Sequence, residues 1–335
     1  MRARFLQAHM RKILIAVDHF SEEQFLRIRQ AVADWADIEV LAQAVNPSLF
    51  EETLRSKEIV VGWPRVDWLI GTNVALLQIG SSGWDAYQNQ GLEESGIKLC
   101  TGRGIYTTGV AEHCIAMMFA LVRKLPVHFR DKQEKLFRRN LPYGEVSGAS
   151  ACVVGMGNIG VEVAKKCKAL GMRVVGVVRD CHRAYAHTDE VYHISALRRA
   201  VANANHIFVT VSGGEENRNL ISADILQSLR SDAYFYNVSR GITVDEKALG
   251  DLIAAGKIAG AGLDVATVEP LPETSPLWSL GDNVLITGHS AGFSLGFPER
   301  FCQLVIRNLS KFHNNEQLEN QVMGTAETPL GPNSL

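Results

Sequence analysis

A chain of 335 residues is too long for one hydrophobic core and about right for two domains. Its 46% hydrophobic and 21% charged residues suit a globular protein with sizeable cores, and a formal net charge of −2 excludes any global attraction to nucleic acid or an anionic membrane. The longest clean apolar run, IAMMFALV at 115–122, is far too short to span a bilayer.

The opening MRARFLQAHM is basic without an apolar stretch, so it reads as a loose extension rather than a secretory leader. KILIAV (12–17) then reads as a buried strand, followed by a helix over SEEQFLRIRQAVADW with Ser21 as its N-cap. IEVLAQ (38–43), EIVVGW (58–63), ALLQIG (75–80) and IKLCTG (97–102) read as further strands. Runs this apolar, alternating with helices, belong to a parallel sheet covered on both faces. A long, nearly all-apolar helix is expected over 107–125, then a polar surface wrap, RDKQEKLFRRNLPYGEVSG. A second αβ series runs from SACVVGMG to NVLITG (283–288), with strands at 173–178, 206–211, 233–238 and 258–265. A last helix, FPERFCQLVIRNLSKFH, leads to a polar tail expected to be mobile or merely draped. The fold class is thus α/β: two domains in tandem, with a ligand expected in the cleft at the carboxyl ends of the strands.

The second series starts with a strand, then Gly155, Gly157 and Gly160 as G-x-G-x-x-G, a helix and another strand, all within about 30 residues. The spacing alone is weak, but this context makes it a dinucleotide turn. Gly155 permits the bend, Gly157 lets the backbone approach a pyrophosphate, and Gly160 lets helix and strand pack. The helix start, at Asn158 and Ile159, presents N–H groups and a positive dipole end to the diphosphate. An NAD-specific unit places an acid at the end of its second strand, but 18 residues past Gly160 stands Val178, followed by Arg179, Asp180 and, on the loop, Arg183. Arginines there pair with a 2′-phosphate, which favours NADP; Asp180 is the competing ribose ligand, which would make the cofactor NAD.

NVSRGITVDEKAL (237–249), AGLDVATVEPLPETSPLW (261–278) and ITGHSAG (286–292) each follow an apolar strand, so Arg240, Glu269 and His289 stand at strand carboxyl ends. An Arg, a Glu and a His beside a nicotinamide suit a 2-oxo acid: Arg240 grips the carboxylate, His289 exchanges a proton with the oxygen, and Glu269 holds the far ring nitrogen. Taken singly, each has a bland reading as a salt bridge, a solvated turn or hydrogen-bonded filler. Six cysteines (Cys100, Cys114, Cys152, Cys167, Cys181, Cys302) show no metal spacing and suit a reducing cytoplasm; no metal site is expected.

These strings, together with SSGWDAY (81–87) and VAEHCIAMMFAL (110–121), resemble the D-isomer-specific 2-hydroxyacid dehydrogenases, which include glyoxylate/hydroxypyruvate reductases, over residues 60 to 312. The resemblance implies two Rossmann-like domains. One is a flavodoxin-like substrate domain of residues 1–105 completed by 290–335; the other is an inserted NAD(P)-binding domain of 106–289, with the active site in the cleft. It also implies Arg240, Glu269 and His289 as the catalytic set, the backbone of Ser82 and Gly83 as carboxylate holders, Asp264 facing the nicotinamide amide, and a homodimer. Departures are Gly288, where the family usually has Pro, and Ser212-Gly213-Gly214, where a Leu-Pro-Leu-Thr-like turn is common. Trp63, Trp84 and Phe293 either wall a pocket for an apolar side chain or pack the domain edge; the sequence slightly favours packing. The expected activity is an NAD(P)-dependent 2-oxo acid reductase acting on glyoxylate, hydroxypyruvate or a similar small acid. The alternative is a non-enzymatic, dinucleotide-sensing, corepressor-like protein on the same fold.

Overall fold

The computed structural model describes residues 10–42 and 46–324. The N-terminal extension, the last residue of IEVLAQ and the end of the tail lie outside the described residues. The chain begins with β1 (Arg11–Ala16), α1 (Glu22–Val32), β2 (Ala36–Val40), α2 (Pro47–Leu54), β3 (Ile59–Gly62), α3 (Val66–Leu69), β4 (Leu76–Gln78) and β5 (Lys98–Cys100). Next come α4 (Thr107–Val122), α5 (Leu125–Gln133), β6 (Ser150–Val154), α6 (Asn158–Ala169), β7 (Arg173–Val178), β8 (Glu190–His193), α7 (Leu197–Ala202) and β9 (His206–Val209). Then follow α8 (Ala223–Gln227), β10 (Tyr234–Asn237), α9 (Glu246–Ala254), β11 (Gly260–Leu263), β12 (Val284–Ile286), α10 (Phe297–His313) and β13 (Gln321–Met323). They pack as two units, one drawn from Met1–Ile105 with Ser294–Leu335 and one from Tyr106–Phe293.

In the first unit the strand order is β13-β5-β4-β3-β1-β2, so β2-β1-β3-β4-β5 is the flavodoxin-like 2-1-3-4-5 order. Ile13, Leu14, Ile15, Val60 and Leu77 are fully buried, as strands covered on both faces require. At the start of α1, Ser21 accepts from the Gln24 amide at 3.3 Å and the Gln24 side chain accepts from the Ser21 amide at 2.9 Å, a closed capping box. Helix α10 is fixed to this sheet from inside: buried Asn308 donates to the Gln78 side chain at 2.6 Å and to the Glu319 carbonyl at 3.0 Å. The tail departs from expectation here. Gln321–Met323 pairs antiparallel with β5, giving that edge strand the partner it otherwise lacks.

In the second unit seven parallel strands run β12-β11-β10-β9-β6-β7-β8, the dinucleotide-binding order with one strand added. One face buries Val175, Ile207, Phe235 and Leu249; the other buries Met118, Val153, Val163 and Tyr236 under α4 and α6. The helix expected over 107–125 stops at Val122, and Lys124 takes a left-handed φ of 58° before α5. Pro126 is the cause, since it clashes with the carbonyl four residues back. That freed carbonyl, of Val122, accepts from the Gly144 amide at 3.1 Å.

Candidate active site

The turn after β6 gives each glycine a distinct reason. Gly155 has φ +95°, and a Cβ there would lie 2.8 Å from the Val211 side chain. A Cβ at Gly160 would lie 2.0 Å from the Gly155 carbonyl oxygen, so turn and helix touch backbone to backbone. At Gly157 a Cβ would meet nothing within 4 Å, and no side chain caps α6 there. Exposed Asn158 and half-buried Ile159 open the helix, where amides have no intrahelical partner. The combination fits a dinucleotide diphosphate: an open side at Gly157, first-turn N–H groups and a positive helix end.

At the end of β7, Arg179 donates to the Asn217 side chain at 2.6 Å, and buried Asn217 donates to the Ser212 carbonyl at 3.1 Å. The arginine therefore braces the Ser212-Gly213-Gly214 loop. It stays exposed. The Arg183 guanidinium lies 5.7 Å over the Tyr185 ring, and the Asp180 carboxylate accepts from the His182 amide at 3.1 Å.

Arg240, Glu269 and His289 follow β10, β11 and β12, three neighbouring parallel strands, and so share the carboxyl edge that carries the Gly155 turn. Glu269 accepts from or donates to His289 Nδ1 at 2.7 Å according to their protonation, and its other oxygen accepts from the Ala266 amide at 3.0 Å. His289 sits at a left-handed φ of 52°, and its amide donates to the Asp264 carbonyl at 2.7 Å. Gly241 brings the Arg240 loop against the Glu269 loop: a Cβ there would lie 2.0 Å from the Ala266 carbonyl. The Arg240 Nη1 donates to the Ser239 carbonyl at 2.8 Å.

Asp264 is 2% exposed, and its carboxylate accepts from the Ser290 amide at 2.9 Å, the Ala291 amide at 3.0 Å and the Thr287 hydroxyl at 2.5 Å. Both oxygens are thus engaged by the loop that carries His289. The Thr287 proton goes to Asp264, so His113 on α4 donates its Nε2–H to Thr287, at 3.0 Å. Sequence reading did not single out Thr287, His113 or Asn217. Only Thr287, two residues before His289, carried a signal by position.

In the first unit, Ser82 and Gly83 lie beyond β4. The Ser82 hydroxyl is 3.5 Å from the Gly102 carbonyl, and Gly83 lines a cavity of about 360 Å³ with Trp63 and Trp84. Phe293 belongs to the second unit and is 72% exposed. Burial pushes the Cys100, Cys152 and Cys167 thiols up to about 12, which makes them poor nucleophiles. Among the described residues no His, Cys, Asp and Glu group has metal-binding geometry, and no helix is long and apolar enough to cross a membrane.

The profile of the family described as D-isomer specific 2-hydroxyacid dehydrogenase, NAD binding domain, matches residues 115–291. D-3-phosphoglycerate dehydrogenase of Archaeoglobus fulgidus is 32% identical over 84% of this chain, which spans 53% of that longer enzyme. Glyoxylate reductase of Korarchaeum cryptofilum is 30% identical over 68% of this chain and 71% of its own. The solved structure of a D-isomer specific 2-hydroxyacid dehydrogenase family protein from Aeromonas salmonicida subsp. salmonicida superposes with a TM-score of 0.82 at 27% identity, covering 94% of this chain and 100% of that one. With that match lying over the glycine turn and all three strand-end loops, the chain belongs to the D-isomer specific 2-hydroxyacid dehydrogenase family.

Proposed function

We propose that the chain is an NAD(P)-dependent reductase of 2-oxo acids, with Arg240, Glu269 and His289 as its catalytic residues. The observation that carries this is the 2.7 Å contact between His289 Nδ1 and Glu269, on the edge of the sheet that also bears the glycine turn. With Nδ1 held, Nε2 is the ring atom left to exchange a proton. A bound nicotinamide dinucleotide supplies the hydride. Nε2–H of His289 gives its proton to the carbonyl oxygen during reduction, and in the reverse direction the same nitrogen takes it back. Arg240 grips the substrate carboxylate and polarises the carbonyl. Ser82 and Gly83 of the first unit are proposed to offer backbone amides to a substrate carboxylate. Gly155, Gly157, Asn158, Ile159 and Gly160 hold the diphosphate.

NADPH is the preferred cofactor in this reading. No acid ends β7, while Arg179 and Arg183 are exposed beside it. The relatives named above are enzymes, which disfavours a corepressor-like sensor. The six cysteines are free, in keeping with a reducing cytoplasm. A homodimer is proposed through the second unit, with the long helix near residues 107–125 against the partner and the exposed Phe129 (65%) and Phe137 (88%) of the segment that follows it extending that surface. Initial rates with NADPH and NADH, each against glyoxylate, hydroxypyruvate, pyruvate and phenylpyruvate, test the proposal. Turnover with NADPH at lower KM than NADH is expected; no turnover with any pair would refute it.

A further inference from the structure

The cavity of about 360 Å³ in the first unit opens between the segments that leave two adjacent parallel strands, Trp63–Asp67 after β3 and Ser81–Gln90 after β4. Carboxyl ends of neighbouring strands are where open α/β sheets place ligands. Its volume lies within the range of small-molecule sites. Its walls are chiefly apolar: the rings of Trp63, Trp84 and Tyr87 with Pro64, Val66 and Ala86.

These walls are built, not incidental. Gly80 has no Cβ because the Trp63 indole occupies that space, at 2.6 Å from where the atom would be. The indole is backed by Phe301 and His19, each with its ring centroid 5.9 Å away. Tyr87 is 5% exposed, and its hydroxyl donates to the Pro64 carbonyl at 3.0 Å, tying one wall to the other. The charged and amide side chains on the lining have their partners within it. Arg65 pairs with Asp67 through two hydrogen bonds, of 2.9 and 2.7 Å, and the Gln90 amide donates to the Ala86 carbonyl at 2.9 Å. A second carboxylate or a phosphate on a ligand would therefore have to break an ion pair. An apolar ring or branched chain displaces only water.

We propose that this cavity takes the side chain of the substrate, and that the preferred substrates are 2-oxo acids with an aromatic or branched apolar side chain. The inference rests on the reductase reading above. Ser81 and Gly83 form part of the lining, so an acid whose carboxylate is held at Ser82 and Gly83 has its side chain within reach of the rings. Trp63 and Trp84, for which the sequence slightly favoured edge packing, thus set specificity.

The test compares kcat/KM for phenylpyruvate, 4-methyl-2-oxopentanoate, hydroxypyruvate and glyoxylate at saturating cofactor. Phenylpyruvate is expected to exceed glyoxylate at least about tenfold, and Trp84→Ala is expected to cut that ratio about tenfold or more. Ala86→Phe fills the cavity from an exposed position and is expected to cut the ratio likewise, so the test survives if Trp84→Ala does not fold. A wild-type preference for glyoxylate, or a ratio that neither variant changes, overturns the proposal. Calorimetric titration with 3-phenylpropanoate, which has no carbonyl to reduce, separates the two readings. Binding weakened at least tenfold by Ala86→Phe, without turnover of any acid, keeps the cavity and refutes the reductase. Turnover of glyoxylate without 3-phenylpropanoate binding does the reverse.

Discussion

Two glycines three residues apart should fail in different ways when each is given a methyl group. At Gly160 the added Cβ would stand 2.0 Å from the Gly155 carbonyl oxygen and 2.9 Å from the Thr210 hydroxyl. Carbon and carbonyl oxygen approach to about 3.3 Å at closest comfort, so α6 must move away from the turn by about 1 Å. Alanine is the better helix former by about 1 kcal/mol, but overpacking of this kind costs about 1–3 kcal/mol, so the clash wins. At Gly157 the Cβ enters open space at an ordinary φ of −74°, and stability should change by no more than about 0.5 kcal/mol. That open space is where the diphosphate is proposed to lie. Gly157→Ala should therefore melt with the wild type yet bind NADPH at least about tenfold more weakly, a loss of about 1.4 kcal/mol. Gly160→Ala should lose both, its melting point falling about 2–6 °C. Thermal melts of the cofactor-free protein and titrations followed by NADPH fluorescence measure both quantities. Gly157→Ala binding within twofold of wild type would show that the diphosphate lies elsewhere; a lowered melting point would show that the space beside Gly157 is filled.

Four further outcomes are expected. His289→Gln should lower kcat about 10²- to 10⁴-fold with cofactor binding intact, measured by steady-state rates and NADPH titration. Asp264→Asn places an NH₂ group against N–H donors of the His289 loop, so kcat should fall more than about tenfold while the cofactor Kd stays within about threefold; a large change in Kd would instead favour a direct role on the nicotinamide. Arg179→Ala should raise KM for NADPH about tenfold and leave KM for NADH within about threefold. His206 is 2% exposed, and burial holds its pKa at about 4, below the ordinary 6.5. Above about pH 6.5 neither state binds the proton, so stability is unaffected; as pH falls from there toward 4 only the unfolded chain takes it up, and stability drops by up to about 3 kcal/mol. Urea titrations at pH 7.5, 6 and 5 should show that loss in the second unit, and His206→Phe should flatten it.

What the sequence disclosed and what it withheld divide along the range of the interactions involved. The glycine turn was legible because strand, turn, helix and strand are contiguous, although the contact of Gly155 with Val211 joins it to a distant strand end. Arg240, Glu269 and His289 were legible as strand-end residues because each strand preceding them is predominantly apolar. By contrast, Glu190–His193 is a partly exposed edge strand with no apolar run, and Gln321–Met323 is a strand only because the edge of β5 is there to receive it. The break at Lys124 was signalled by Pro126, but the apolar run of 115–122 outweighed a single residue in the reading of one helix through Leu125.

The same division explains Asp264. Family resemblance alone pointed to it, as a residue facing the nicotinamide, and only the folded loop shows that Ser290, Ala291 and Thr287 aim their donors at it. His289 holds a left-handed backbone, which non-glycine residues keep only when their surroundings impose it. Asp264 provides that constraint twice, by its carbonyl on the His289 amide and by its carboxylate on the two amides that follow. The buried acid thus fixes where the imidazole stands, Glu269 fixes how it is turned, and the proton exchange proposed for His289 falls to the one nitrogen that neither holds.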